Sequence, residues 1–548
     1  MSAGEVDRDL DALIIGAGFA GLYMLHRLRQ MGFRARLLEA GNGIGGVWFW
    51  NRYPGARCDI ESTQYSYQFS PELEQEWSWS ERYATQAEIL RYANHVADRF
   101  DLWRDIELGT RAVSMRFDEP QHVWRLSSHD GRAYIAPIVI MATGCLSVPS
   151  WPALPGMASF AGEMHHTGTW PHEGVDFKDK RVAVIGTGSS GIQSIPAIAR
   201  DARHLTVFQR TPAYSVPARN IALPPSVLTG IKAIYRQLRA RAKEMPTGVL
   251  FDSSSEKALE TPPALREREY ERRWQRGGLT FLSAYADILT DYEANKTAAD
   301  FVRGKIRSIV KDPAVAERLM PTTPIGAKRL CVDLGYYETF NRANVTLVDV
   351  SAAPIERITE RGIVAHGTLH EADIIVLATG FDAMTGALMC IDIKGRGGLT
   401  LSQKWADGPR TYLGLAIHGF PNLFTITGPG SPSVLTNMLA SIEQHVEWIA
   451  DCMTKLRADG IATIEATADA EDAWVAHVAE EASHSIRANE SSWYVGANVP
   501  GKPRVFMPYT GGVPKYARKC EEVAARGYEG FMLVPAAAEA GPREEATA

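Results

Sequence analysis

Four runs of four consecutive apolar residues stand out along the chain: Ala12-Leu13-Ile14-Ile15, Ile138-Val139-Ile140-Met141, Val182-Ala183-Val184-Ile185 and Ile374-Ile375-Val376-Leu377. Runs this short, without a polar face and closed by small residues, read as strands buried on both faces of a parallel sheet. After the first and third runs the apolar spacing becomes helical, with Leu22, Leu25 and Leu28 before Gly32, and Ile192, Ile195 and Ile198. The turn between strand and helix is Gly16-Ala17-Gly18-Phe19-Ala20-Gly21 in one case and Gly186-Thr187-Gly188-Ser189-Ser190-Gly191 in the other, so the same unit recurs at an offset of 170 residues. The other two runs both enter an Ala-Thr-Gly tripeptide, at 142–144 and 378–380. Between Pro217 and Pro324 the pattern changes to charge-rich stretches such as 264–269 and 301–306, which predict a helical insertion. Two long segments, Ala133 to Gly162 and Thr411 to Ile442, contain no Asp, Glu, Lys or Arg. Prolines and glycines interrupt both, so they read as buried strands joined by turns, not as membrane spans.

A single GxGxxG is a weak signal, but two copies between a strand and a helix predict two dinucleotide sites. In each copy a further strand ends 18 residues after the last glycine, at Glu39 in the first and Gln209 in the second. A carboxylate at that strand end hydrogen-bonds ribose hydroxyls, so the first site suits FAD or NAD. In the second site Gln209 removes the negative charge and Arg210 adds donors for a 2′-phosphate, which suits NADP. The alternative for Arg210 is a solvated strand-end cation.

Composition adds limits. A chain of 548 residues is several times the ~150 of one ordinary core, so more than one domain is expected. Hydrophobic residues at 45% and charged residues at 22% are those of a folded water-soluble protein. The net charge of −6 disfavours nucleic acid or an anionic membrane as a partner, while leaving room for a local cationic pocket. The six cysteines never approach within 59 residues of one another in sequence, so neither a CxxC redox pair nor a CxxC metal knuckle exists, and no metal site is expected. An acidic N-terminus without an apolar signal region points to the cytoplasm.

The chain resembles the type I Baeyer–Villiger monooxygenases, flavin enzymes whose FxGxxxHxxxW fingerprint is matched by Phe160, Gly162, His166 and Trp170, followed by Pro171. The resemblance runs from about Leu10 to Phe531 and includes stretches 45–62, 208–220, 335–345, 378–388 and 491–506. It implies an α/β fold of two Rossmann-like dinucleotide-binding domains, for FAD and NADP, with a mainly helical insertion. The implied organisation is an FAD domain in two parts, 1–145 and 385–535. Between them lies an NADP domain, 146–216 and 326–384, with the insertion at 217–325, and a disordered tail follows at 536–548.

The activity implied is insertion of one oxygen atom of O2 beside a ketone carbonyl, through a flavin C4a-peroxide, at the expense of NADPH. Esters or lactones result, with sulfoxidation as a side reaction; the alternative is a flavin-dependent N- or S-oxygenase. By resemblance Arg329 is the catalytic cation, also placed against NADP, and Asp59 is its partner carboxylate beside the flavin. FAD contacts are Gly16, Gly18, Gly21, Glu39, Gly46, Val47, Trp48, Asp59, Tyr65, Ala112 and Met438. NADP contacts are Thr187, Gly188, Ser189, Ser190, Gly191, Gln193, Arg210, Thr211, Lys328 and Trp493. Ser433 and Val434 are matched to a loop that shapes the substrate site. His166 and Trp170 are expected to couple domain movement to cofactor binding. Taken without the resemblance, the histidines read as satisfied loop residues, Trp48, Trp50 and Trp493 as core aromatics, Lys328 and Arg329 as solvated, and Asp59 as a turn cap. The oligomeric state and the physiological ketone are left open.

Overall fold

The structure, a computed structural model, describes residues 6–7 and 10–536. Of the tail expected over 536–548, residues 537–548 lie outside the described residues.

Two five-stranded parallel sheets dominate, and each is built around one of the glycine-rich units. In the first, strand Ala12–Ile15 lies between Ile138–Met141 and Ala35–Leu38, with Leu423–Thr425 and Ile106–Glu107 at the edges. In the second, Arg181–Ile185 lies between Ile374–Leu377 and His204–Gln209, with Glu163–His166 and Val345–Asp349 at the edges. The correspondence is strand for strand. All four apolar runs occupy interior positions, covered on both faces, which is why they carry no polar residue. One edge strand of the first sheet comes from residue 423 onward, so that lobe draws on both ends of the chain. A third sheet, mixed in direction, contains Ala112–Asp118 and receives Asp392–Lys394 on its edge, again joining early and late sequence.

The helices after the two turns are Phe19–Gln30 and Ser189–Asp201. Their packing explains the glycines. A Cβ on Gly21 would lie 1.9 Å from the Gly16 carbonyl oxygen, and one on Gly191 would lie 2.2 Å from that of Gly186. The first glycine of each motif, at φ +105° and +109°, presses on the Ala142 and Ala378 carbonyls of the Ala-Thr-Gly turns. Each turn therefore sits directly against its neighbouring glycine loop, and only glycine permits the approach.

Between the parts of the second lobe lie helices Pro225–Ala233, Tyr235–Lys243, Pro263–Arg276, Tyr292–Ile309 and Pro313–Leu319. The last three share one apolar core with the second sheet, through Tyr270, Val302 and Leu319 among others. Tyr235–Lys243 reaches the other lobe instead: Arg239 Nε donates to Glu74 at 2.8 Å and Nη2 to Ser66 Oγ at 2.6 Å, in buried surroundings.

The charge-free segments differ from the reading of strands joined by turns. Ala133 to Gly162 holds two strands, but Thr411 to Ile442 holds only Leu423–Thr425, turns, and the start of helix Met438–Ala458. Burial alone removes charge from a segment, whatever its backbone form. Among the described residues no helix is long and apolar enough to cross a membrane.

Candidate active site

At the first nucleotide loop, helix Phe19–Gln30 begins at Gly18, which supplies no side-chain cap, so the first-turn N–H groups face outward. The Glu39 carboxylate is buried at the strand end; it accepts from Ala17 N at 2.7 Å through Oε2 and from Gly41 N at 2.8 Å through Oε1. Burial pushes its pKa up, while these N–H groups and Arg111 oppose the shift. Gly46 N-caps the single turn Val47–Trp50, and its α-carbon approaches Gly18 closely enough that a Cβ on Gly46 would stand 3.0 Å from Gly18 Cα. Trp48 Nε1 donates to Tyr65 Oη at 3.0 Å. Ala112 opens a strand of the third sheet, paired with Ser128, and Met438 opens the long helix. This cleft fits a dinucleotide: outward N–H groups for a pyrophosphate, and a fixed carboxylate with lone pairs to spare for a ribose.

The second loop repeats the design. Gly188 N-caps helix Ser189–Asp201 without a side-chain cap, and a Cβ there would meet no protein atom within 4 Å. Its own fold thus leaves Gly188 free to carry a side chain, and a bound pyrophosphate would need that space. Arg210 is exposed and Lys328 half-buried. Burial and the nearby Arg210 lower the Lys328 pKa, against an opposing pull from Glu490. Two cations gathered at one place, with no ion pair within 4 Å among the described residues, fit a 2′-phosphate. Thr187 Oγ1 donates to the Thr211 carbonyl at 3.0 Å, and Ser189 Oγ lies 3.4 Å from Cys331 Sγ.

Two neighbours also make contacts within the protein. Gln209 is buried and donates to the Arg318 carbonyl at 2.7 Å, so it faces the insertion. Gln193 spends its amide across the lobes, accepting from Tyr53 Oη at 2.8 Å and donating to the Arg57 carbonyl at 3.0 Å.

Between the lobes Arg329 meets Asp59, 270 residues away in sequence. The pair is bidentate: Nε to Oδ2 at 2.6 Å and Nη2 to Oδ1 at 2.8 Å, while Nη1 donates to the Val434 carbonyl at 2.6 Å. Burial works against the charge, but Asp59 outweighs it and raises the Arg329 pKa above the ordinary arginine value. Val434 and Ser433 are buried. Val434 belongs to a cluster with Cys145, Met384, Tyr494 and Met507, with Trp493 and Met438 partly buried beside it. The Trp493 and Tyr494 rings lie 4.2 Å apart. A fixed cation thus stands beside an apolar, sulfur-rich wall.

Sequence reasoning missed Arg487, whose Nε donates to the Gly326 carbonyl at 3.0 Å, bracing the loop that carries Lys328 and Arg329. It also missed Lys502, bound to Asp382 at 2.5 Å and to the Ala383 carbonyl at 2.7 Å. Both lie at or near the 491–506 stretch, where the only available signal was a basic residue near aromatic ones.

The fingerprint residues lie outside this centre. Phe160 folds its ring over Gly162, where a Cβ would also strike the Asp373 carbonyl at 2.2 Å. His166 is fully buried; Nδ1 accepts from Gly168 N at 2.9 Å and Nε2 lies 3.1 Å from Thr379 Oγ1. Because Thr379 Oγ1 donates to the Ser150 carbonyl at 2.6 Å, His166 is neutral with its proton on Nε2. Burial takes its pKa down to about 4. Trp170 is buried against Phe177.

Comparison with known proteins adds the following. Residues 13–254 match the family described as pyridine nucleotide-disulphide oxidoreductase. The chain is 44% identical, over 96% of its length and 99% of the relative's, to an acetone monooxygenase (methyl acetate-forming) of Gordonia sp. (strain TY-5). It is 42% identical to a Baeyer–Villiger monooxygenase of Pseudooceanicola batsensis (96% and 97% covered). It is 40% identical to phenazine N-monooxygenase PhzNO1 of Lysobacter antibioticus (96% and 98%). Among solved structures, an oxidized steroid monooxygenase bound to NADP superposes with a TM-score of 0.92 at 51% identity, covering 96% of this chain and all of that one.

Proposed function

The chain belongs to the type I Baeyer–Villiger monooxygenase family, and from that premise we propose that Arg329, backed by Asp59, is the fixed cation at which it turns ketones into esters or lactones. It is an FAD-dependent enzyme using NADPH and O2, with the balance ketone + O2 + NADPH + H+ giving ester, NADP+ and H2O. FAD, when bound, supplies the activation of O2, and NADPH supplies the reducing electrons.

The residues act around that chemistry. Loop Gly16–Gly21 with Glu39 and Trp48 holds the FAD; loop Gly186–Gly191 with Arg210, Thr211 and Lys328 holds the NADP phosphates. Arg329 keeps its proton and presents permanent positive charge toward the oxygen on which negative charge grows during attack on the carbonyl. Asp59 takes two of its donors and the Val434 carbonyl a third, so the guanidinium cannot swing away. Val434, Met384 and Tyr494 give the cation an apolar neighbourhood, which strengthens its field relative to bulk water. The apolar character of this wall supports a neutral, hydrophobic ketone as substrate. Six cysteines, all free, support a reducing cytoplasmic setting.

The observation that carries this reading is the bidentate Arg329–Asp59 pair between the two nucleotide lobes. The N-monooxygenase among the relatives favours a second reading, oxygenation of an aromatic nitrogen. Both are tested by following NADPH oxidation under 18O2 with cyclic, aryl and linear ketones and with phenazine. Labelled ester from a ketone is expected. Labelled N-oxide with no ester from any ketone establishes the second reading instead.

A further inference from the structure

A cavity of about 400 Å3 opens between the lobes, and of the residues assigned above to cofactors or chemistry only Gln193 lines it. One wall is the loop Gly55, Arg57 and Cys58 with Tyr83; the other is one face of helix Ser189–Asp201 and the segment from Val332 to Arg342. Its volume falls in the ~300–1,000 Å3 range of small-molecule sites. The floor is a tight contact between loop and helix. Gly55 packs so closely on helix Ser189–Asp201 that a Cβ would lie 2.3 Å from the Gln193 carbonyl oxygen, and the Gln193 amide locks loop 53–57 from both ends.

The lining has two chemistries. Tyr83, Pro196, Ala197, Val332 and Leu334 form an apolar body, and Leu334 is 49% exposed at the mouth. Three arginines line the rest. Arg57 is spoken for by Glu81 at 2.8 Å and by the Tyr83 carbonyl. Arg200 and Arg342 are exposed, make no ion pair within 4 Å among the described residues, and outnumber the single acid, Glu338. Among the described residues the only side-chain bond of Arg342 is from Nε to Asn344 at 3.3 Å, which leaves its other donors for a ligand. Two planar cations over an apolar body are complementary to a carboxylate on a hydrophobic stem.

The cavity is coupled to the active site by chain continuity. Cys58 precedes Asp59, and Val332 follows Arg329 by three residues, so the two walls continue into the two halves of the ion pair. An occupant touching both walls restrains the lobes against each other, and a mobile two-lobe cycle then slows. We infer that this cavity is a regulatory site for a small monocarboxylate with an apolar stem, held by Arg200 and Arg342, that lowers turnover without occupying the ketone site. Such an acid is what hydrolysis releases from an ester. Only the turnover that the acid is expected to lower rests on the ketone-to-ester reading.

The test uses the FAD-loaded protein, hexanoate as probe and hexanol as its neutral counterpart. Calorimetric titration is expected to show saturable hexanoate binding, with hexanol at least about tenfold weaker, a difference of ~1.4 kcal/mol. With the ketone varied, hexanoate should lower kcat and leave KM unchanged. The Arg200→Gln/Arg342→Gln variant should keep its turnover and thermal unfolding temperature and lose affinity for hexanoate about tenfold or more. Absence of binding, equal binding by the variant, or inhibition competitive with ketone overturns the proposal. The binding arm needs no ketone turnover, so its outcome is separable from that of the reaction assay.

Discussion

At the scale of single residues the site depends on charge held in fixed places. Arg329 has three of its donors committed, and Asp59 keeps it protonated despite burial. Arg329→Ala should leave reduction of bound FAD by NADPH near wild type and cut ester formation by about 100- to 1,000-fold, the cost of removing one preorganised donor. Stopped-flow absorbance and product analysis separate the two. Lys328 makes the opposite kind of prediction, because burial and Arg210 both disfavour its charge. As pH rises it loses its proton earlier than an ordinary lysine, and its attraction for a 2′-phosphate goes with it. KM for NADPH should therefore climb on the alkaline side below the usual lysine range, and Lys328→Arg should flatten that climb. Asp59 and Arg329 were readable in sequence only through the resemblance. Locally, an Asp in a turn and an Arg beside a Lys have ordinary alternatives, and nothing in the order of residues reports a partner 270 positions away.

At the scale of elements the glycine motifs divide into structural and ligand-facing positions. Gly191→Ala forces a Cβ to within 2.2 Å of the Gly186 carbonyl, so the helix must leave the strand; a loss of roughly 2–4 kcal/mol in unfolding free energy is expected. Gly188→Ala meets no protein atom within 4 Å, so its unfolding temperature should match wild type while KM for NADPH rises at least about tenfold. Thermal unfolding and NADPH kinetics on the two variants check this, and equal destabilisation by both would refute the division. The strand–turn–helix units were legible because buried parallel strands and tight turns each demand a narrow choice of residues. Strand Glu163–His166 was not: a half-exposed edge strand with Glu, Met and two histidines has no apolar run, and it exists because Ile374–Leu377 offers it a free edge. The fingerprint is thus in part a stitch, with His166 tying that strand to the Ala-Thr-Gly turn at 378–380.

At the scale of the molecule, the insertion clamps the other lobe through Arg239 and Glu74, both nearly buried. Arg239→Ala leaves Glu74 buried without its cation and should cost about 3–5 kcal/mol, measured by denaturant unfolding. Buried neutral histidines contribute to the response to acid. Burial lowers His26 and His166 to about 4 and His445 to about 3, so the unfolded chain binds protons that the folded one refuses. The stability they contribute is complete above pH 6.5 and is lost as pH falls toward 4. Glu443, raised to about 8 by burial, acts the other way, gaining stability as pH falls from 8 toward 4.5. Within this set the three histidines outweigh Glu443, and their joint contribution to unfolding free energy should fall by roughly 2–3 kcal/mol between pH 6 and pH 5. Denaturant titrations at the two values would show it, and a rise would contradict the balance.

What the sequence determined by itself was the repeated nucleotide-binding unit, the dinucleotide expected at each copy, and, by resemblance, the chemistry. Local rules suffice there, because a buried strand, a glycine pressed on a carbonyl and a carboxylate at a strand end each leave a mark within about twenty residues. Only the tertiary structure decided which distant residues meet. It joined Arg329 to Asp59 and Val434, engaged Gln193 with Tyr53 and Arg57 and Gln209 with Arg318, and left a cationic cavity between the lobes. Those outcomes depend on packing between segments hundreds of residues apart, and hydrophobic burial, which drives that packing, has no direction along the chain.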